Sequence, residues 1–419
     1  MIVRARLVVT MDGPPIENGA IAISGDKITD VGKFPEISKR HSASEITDLA
    51  EQVLLPGLIN AHCHLDYTCL RGRIPPSKSF TDWIRAINTE KAKLSPSDYV
   101  ASINSGFAES LKFGTTAIAN LTGFPELSPQ IRETIRTWWC AELIDVRNPE
   151  KAGDIVDVAT HALQSAEHWG LGPHALFTAS ANLYRASEEV ACRENILLTT
   201  HLAESREEMS MFHDATGPLY DFLKEIGRDM SDCGQSTPLH RFSEMMRDSS
   251  ISRLRPGPAR QAAGMTDNWI LVHLNELTER DFETLQGWPA KFSIVHCPRS
   301  HDYFAHSAFQ FDKLQRLGCN ICLGTDSLAS NDDLSLFGEL RAFQRDFQSC
   351  APSEILTMVT TNAARALSQE NALGKIKAGF RADLIAIPFS NSTRIFEEIV
   401  AFDQPVNWLM ADGAIQETA

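Results

Sequence analysis

Residues 56–72 read PGLINAHCHLDYTCLRG, and the fold turns on them. An apolar run ends in His62-x-His64. Side chains alternate along a strand, so positions i and i+2 leave the same face. Both imidazoles can therefore approach one point at a strand's C-terminal end, the end at which barrel enzymes carry their chemistry.

Working outward, eight segments read as strands, near 54–61, 115–120, 137–144, 174–180, 196–202, 269–274, 292–297 and 319–325. Most are apolar throughout, as parallel strands covered on both faces must be. Most precede helical periodicity, as in DFETLQGW and DLSLFGELRAFQRDF. Eight such units predict an α/β fold, a (β/α)8 TIM-like barrel. Residues 1–50 and 372–419 read instead as short β segments with turns, such as GAIAISGDKITDVG and ALGKIKAGFRADLIAIPF. The expected organisation is a barrel over 54–370 and a small β-sandwich domain built from both termini, 1–53 and 371–419. Residues 205–265, polar and rich in Arg, Ser and Met, read as an insertion on a βα loop. A lid or substrate-binding excursion is the favoured role, a surface loop without order the alternative.

The chemistry-bearing residues sit at the strand ends. His62 and His64 close the first, His201 the fifth, His273 the sixth, and His296 lies at the seventh. Asp326 follows the eighth in LGTDS, and His174 is read at the start of the fourth. A lone histidine at a strand end is usually a satisfied structural residue, but barrel topology brings all of these to one mouth. Histidine with carboxylate suits zinc first and iron second.

Bulk properties bound the rest. With 54 acidic against 39 basic residues, the formal charge is −15. That disfavours nucleic acid and anionic membranes as partners and leaves a small-molecule substrate. No apolar stretch reaches spanning length and no secretory leader pattern opens the chain. Nine scattered cysteines fit reduced thiols in a cytoplasmic protein. The Cys319-x-x-Cys322 pair lies within a strand-like run with no second pair at metal-site spacing, so the structural reading prevails. A homodimer is the one assembly left open.

PGLINAHCHLDYTCLRG, TTHLAES, LVHLN and LGTDSLASNDDLSLFGELR together resemble the amidohydrolase superfamily over essentially the whole chain. The likeness is to its branch of aromatic-amine deaminases and chlorohydrolases, which includes adenosyl-homocysteine, guanine, cytosine and aminofutalosine deaminases and the triazine hydrolases. The resemblance implies one divalent metal ion held by His62, His64, His201 and Asp326. Catalytic roles fall to Glu204, His273 and Asp326, and His174 is expected to face substrate. Binuclear members carry a lysine near the end of the fourth strand. PHALFTASANLY has none, which predicts one ion.

The implied activity is hydrolytic deamination of an amino-substituted N-heterocycle: a purine, pterin, pyrimidine or nucleoside-like compound. A divalent ion brings the pKa of water from 15.7 to about 7. Asp326 can then accept the water proton, His273 can position the nucleophile, and Glu204 can protonate a ring nitrogen. A carboxylate favoured at a helix N-terminus is the structural alternative for Glu204. Cleavage of a cyclic amide or displacement of halide from a halogenated heterocycle is the second reading, and a scaffold without catalysis a remote third. One segment departs from the pattern. Where many members read H-x-P-x-S-N-x-x-L, this chain reads HCPRSHDYFAH, with His301 in place of Asn. Arg299 and His301 are therefore candidate substrate contacts, with a salt bridge at the barrel mouth the alternative for Arg299.

Overall fold

The computed structural model describes residues 1–247, 268–288, 292–390 and 393–416. It contains two sheets. The chain opens with β1 (Ile2–Val8), β2 (Ile16–Ser24), β3 (Lys27–Lys33), β4 (Ile46–Asp48) and β5 (Gln52–Pro56). β1 pairs antiparallel with β2, while β4 and β5 share its other edge in succession. The chain then enters the second sheet through β6 (Leu58–His64), β7 (Thr115–Thr122), β8 (Arg136–Leu143), β9 (Trp169–Pro173), β10 (Leu197–Leu202), β11 (Trp269–His273), β12 (Phe292–His296), β13 (Asn320–Leu323) and β14 (Asp326–Ser327). It returns to the first sheet with β15 (Leu384–Pro388), β16 (Trp408–Ala411) and β17 (Ala414–Gln416), β15 lying antiparallel on β5. The small sheet is thus built from both ends of the chain.

The second sheet is parallel, with neighbours in sequence order from β6 to β13, and β14 pairs with β6. β13 and β14 are two parts of one strand, separated by Gly324 and Thr325. The Gly324 N–H donates to the His296 carbonyl and the Thr325 N–H to the His62 carbonyl, both at 3.1 Å. The eighth strand therefore closes the barrel and carries Asp326 to the side of His64.

Alternation along the strands sorts the core. Ile59, Ala61, Ala117, Ala119, Trp138, Cys140, Leu197, Ile270, Val272, Val295 and Cys322 form one cluster with Ala363 and Ala364. Residues from strands all round a closed sheet can touch only in its interior, so this cluster fills the barrel. Their neighbours Ile118, Trp139, Leu198, Leu271, Ile294 and Ile321 join the larger core outside, beneath the helices. In the small sheet, Leu54 and Leu384 pack with Val3, Ile21 and Ile28, while Val53, Leu55, Ile385 and Ile387 pack towards the barrel.

Two strand expectations are corrected. The run LLPGLINA is divided at Gly57, with its first half in the small sheet and its second in the barrel. The fourth strand is Trp169–Pro173, not 174–180, so His174 stands just past the strand's C-terminal end, not at its start. The segment WGLGP reads as a turn by propensity. Its glycines answer to crowding: a Cβ on Gly170 would stand 2.5 Å from the Leu197 carbonyl, and one on Gly172 2.6 Å from Leu121.

The described part of the long excursion after β10 carries three helices, Arg206–Asp214, Pro218–Glu225 and Pro238–Arg247, with turns between the last two. The remainder of 205–265, from residue 248, lies outside the described residues. Cys322 is buried and Cys319 half-buried, both free thiols. Among the described residues neither belongs to a group that could hold a metal, and no helix is long and apolar enough to cross a membrane.

Candidate active site

A bulge in β6 aims the histidine pair. Asn60 pairs with Ile118 but Cys63 with Asn120, so β6 carries one extra residue. The inward face passes from Ile59 and Ala61 to His62 and His64, while Cys63 packs in the outer core. The His64 Nε2 lies 3.3 Å from the Nε2 of His201 at the end of β10. One ring nitrogen from each of His62, His64 and His201 falls within 4.8 Å of the others. The Asp326 Oδ1 is 3.9 Å from the Nε2 of both His62 and His64. Four donor atoms from three separate strands thus converge.

The donors suit a cation. His201 Nδ1 lies 2.9 Å from the His174 carbonyl, which can only accept, so Nδ1 carries the proton and Nε2 offers a lone pair. His62 Nε2 is buried with no hydrogen-bond partner. Burial, then the neighbouring histidines, holds His62 and His64 well below the ordinary histidine range, which leaves both neutral and able to offer a lone pair to a cation. Donors about 2.0–2.1 Å from a shared tetrahedral ion stand roughly 3.3 Å apart. The set needs only a modest contraction to meet that spacing.

Asp326 is held from behind. Ser300 donates to its Oδ2 at 2.7 Å, and the Ser327 N–H lies 2.8 Å from Oδ1. Ser300 in turn lies 2.9 Å from the Ser330 hydroxyl. Four residues at this rim adopt left-handed backbone: Asp326 at φ 55°, His273 at 77°, Leu274 at 48° and Ala203 at 52°. Such conformations cost about 1–3 kcal/mol each and collect at functional sites.

Glu204 follows the same pattern of support. Its side chain faces His273, with Oε1 3.6 Å from Nε2. The helix N-terminus beside it is served by others: Ser205 accepts from the Glu208 N–H, and the Glu208 carboxylate accepts from the N–H groups of Ala203 and Glu204. The Glu204 carboxyl is thereby free of capping work. Burial, then the nearby charges of Asp326 and Glu208, pushes it well above the usual carboxylate range. Burial and the adjoining histidines depress His273.

The remaining candidates divide. His174 joins the site: its ring lies 4.9 Å from that of His201, its Nδ1 is 2.6 Å from the Thr178 hydroxyl, and burial lowers it to about 4. His301 is at one remove, with Nδ1 3.3 Å from Asn275 Oδ1 while Asn275 donates to the Glu204 carbonyl. Arg299 is not brought to the histidines. Its guanidinium pairs with Asp333 at 2.5 Å and Asp332 at 3.5 Å, beside Glu339, and it lines a separate cleft of about 610 Å³. The arrangement is the mouth salt bridge. His296 also stands apart, stacked 4.1 Å from Phe309. Sequence reasoning missed Ser300, Asn275 and Glu142. Ser300 lies inside the very segment that was singled out, and its chemistry was hidden because a serine carries no charge signal. Glu142 ends β8 and approaches His64 Nδ1 at 3.8 Å and His174 Nε2 at 3.9 Å.

The chain is 27% identical over 401 residues to a 5-methylthioadenosine/S-adenosylhomocysteine deaminase of Syntrophobacter fumaroxidans, covering 91% of this chain and 83% of the relative. Its fold matches the Helicobacter pylori aminofutalosine deaminase solved with methylthio-coformycin, at a TM-score of 0.85 and 19% identity, over 99% of this chain and 100% of that one. It also matches an adenosine deaminase of Xanthomonas campestris with bound zinc, at a TM-score of 0.77 and 22% identity, over 99% and 92%. The family model described as Amidohydrolase family matches residues 53–415, and this chain belongs to that family.

Proposed function

We propose that this protein is a metal-dependent aminohydrolase that deaminates a purine nucleoside. The ring C–NH2 bond is replaced by C–OH, which tautomerises to a carbonyl, water is consumed and ammonia leaves. The observation that carries the reading is the pairing of two groups at one rim. Three imidazoles and Asp326 converge on a point, and Glu204, a carboxyl raised by burial, stands beside them. The likeness to an S-adenosylhomocysteine deaminase supports the nucleoside class.

In this reading His62, His64, His201 and Asp326 hold one ion, and the three-nitrogen, one-oxygen set favours zinc. When bound, such an ion acidifies water to a pKa of about 7 and supplies a nucleophile at neutral pH. Asp326, held by Ser300 at Oδ2 and by the Ser327 N–H at Oδ1, accepts the water proton. Glu204 donates its proton to the ring nitrogen next to the attacked carbon; the proton that Asp326 took from water passes to the departing amine, and the hydroxyl proton of the adduct restores Glu204. The first step needs the carboxyl in its protonated form, because an ionised carboxylate has no proton to give. His273 orients the attacking oxygen, and His174 lines the ring's approach.

The test is ammonia release from adenosine, 5′-deoxyadenosine, 5′-methylthioadenosine and S-adenosylhomocysteine, run beside cyclic amides. Turnover of at least one nucleoside with none of the amides is expected. The reverse pattern would overturn the reading.

A further inference from the structure

Beside the histidines lies a second polar cradle, which the mechanism above does not use. Glu142 ends β8 with its side chain only 8% exposed. Its Oε1 has the His64 and His174 imidazoles for company at 3.8 and 3.9 Å, both beyond hydrogen-bond reach. Its Oε2 turns towards Gly123. A Cβ there would stand 3.8 Å from that oxygen, 3.8 Å from the Tyr67 hydroxyl and 3.9 Å from Asp66 Oδ2, so three oxygens surround one bare backbone position. Asp66 Oδ2 is already engaged by the Gly123 N–H at 2.8 Å and the Thr122 hydroxyl at 3.1 Å. The Tyr67 hydroxyl is not: it is buried with no partner, and Asp66 Oδ1 likewise. Lys91 Nζ lies 4.7 Å over the Tyr67 ring.

The chemistry of these groups defines what they recognise. A carboxylate offers only acceptors, and a tyrosine hydroxyl offers one donor and acceptors. Leaving the Tyr67 hydroxyl buried without a partner costs about 1–3 kcal/mol. The matching ligand therefore presents two adjacent O–H donors and carries no negative charge of its own. Glu142 adjoins the histidine cluster directly: one ligand-type atom from each of Glu142, His174 and His201 falls within 4.8 Å of the others.

We propose that Glu142 is a specificity-determining residue. With Tyr67 beside the bare backbone of Gly123, it binds the paired 2′ and 3′ hydroxyls of a ribose. The inference rests on the nucleoside reading above. Glu142 accepts both hydroxyl protons in a bidentate contact, and Tyr67 closes on one hydroxyl oxygen.

The experiment is equilibrium binding, measured by calorimetry on zinc-loaded Glu204→Gln protein so that turnover does not intrude. Adenosine and 2′,3′-dideoxyadenosine are titrated with and without the further change Glu142→Ala. Adenosine is expected to bind roughly 10–100-fold tighter than the dideoxy compound, the range of hydrogen bonds to a charged group. Glu142→Ala should remove that preference while leaving dideoxyadenosine within about threefold. The milder Glu142→Gln, which keeps the shape and one acceptor, should retain part of it. Equal affinity for the two nucleosides before Glu142 is changed would overturn the proposal. So would equal weakening of both by Glu142→Ala with loss of zinc, which would make Glu142 a positioning residue for His64. Should the diol preference hold while the wild-type protein releases no ammonia, the deaminase reading fails and the ribose subsite stands.

Discussion

At the residue scale, two side chains divide the labour that a single acidic position could have held. Glu208 satisfies the backbone at the start of helix Arg206–Asp214, which leaves Glu204 uncommitted beside His273. Replacing Glu204 by Gln should therefore leave the zinc content and melting temperature of the protein unchanged. It should lower kcat by about 10²–10⁴, the usual worth of general acid–base catalysis. Metal analysis alongside ammonia release checks both halves. The sign of the Glu204 titration follows from its surroundings. Burial disfavours the anion, so in metal-free protein the carboxyl keeps its proton above the ordinary value of about 4.3. A nearby cation favours the anion, so zinc should lower its pKa, a shift readable by carboxyl 13C NMR. As pH rises through the zinc-bound value the acid is lost, and kcat/KM should decline on that limb. Ser300→Ala removes the 2.7 Å donor to Asp326 and should weaken zinc about 10–100-fold by competition titration, the usual effect of losing a ligand's supporting bond.

At the scale of elements, the barrel's closure and its metal-competent donors are one device. Gly324 is the point where β13 passes His62 so closely that no side chain fits. A Cβ there would stand 2.6 Å from the His62 carbonyl and 3.0 Å from its N and Cβ. Gly324→Ala must displace β6, β13 or both. The expected cost is about 1–3 kcal/mol in urea unfolding, typical of overpacking, with weakened zinc binding because His62 moves. Unchanged zinc affinity would show that the ligand strand is not set by this contact. The same crowding explains what the sequence concealed. The apolar staves β6, β7, β10 and β11 were legible because fully buried parallel strands read as unbroken hydrophobic runs. β9 was misplaced because contacts with Leu197 and Leu121, made far away in sequence, demand glycines that locally signal a turn. The bulge in β6, which lies between Asn60 and Cys63, was also invisible, although His62 and His64 still leave the same face.

At the scale of the whole molecule, the fold class and the residues that gather at the mouth were readable, since each ends a strand and closure brings strand ends together. The partners of Arg299 were not, because Asp333 and Asp332 come from the loop after the eighth strand and nothing local announces the pairing. The histidine cluster couples metal to the fold as a whole. It joins β6, β10 and β14, so any ion held there ties the first, fifth and eighth strands together. The central claim is that one ion at this junction drives deamination. Its most direct test is to strip the protein with chelator, add back zinc in fractions of an equivalent, and follow ammonia release from a nucleoside substrate. Activity is expected to be negligible in stripped protein, to rise linearly, and to saturate at one zinc per chain. Full activity in stripped protein, or saturation only at two equivalents, would contradict the account.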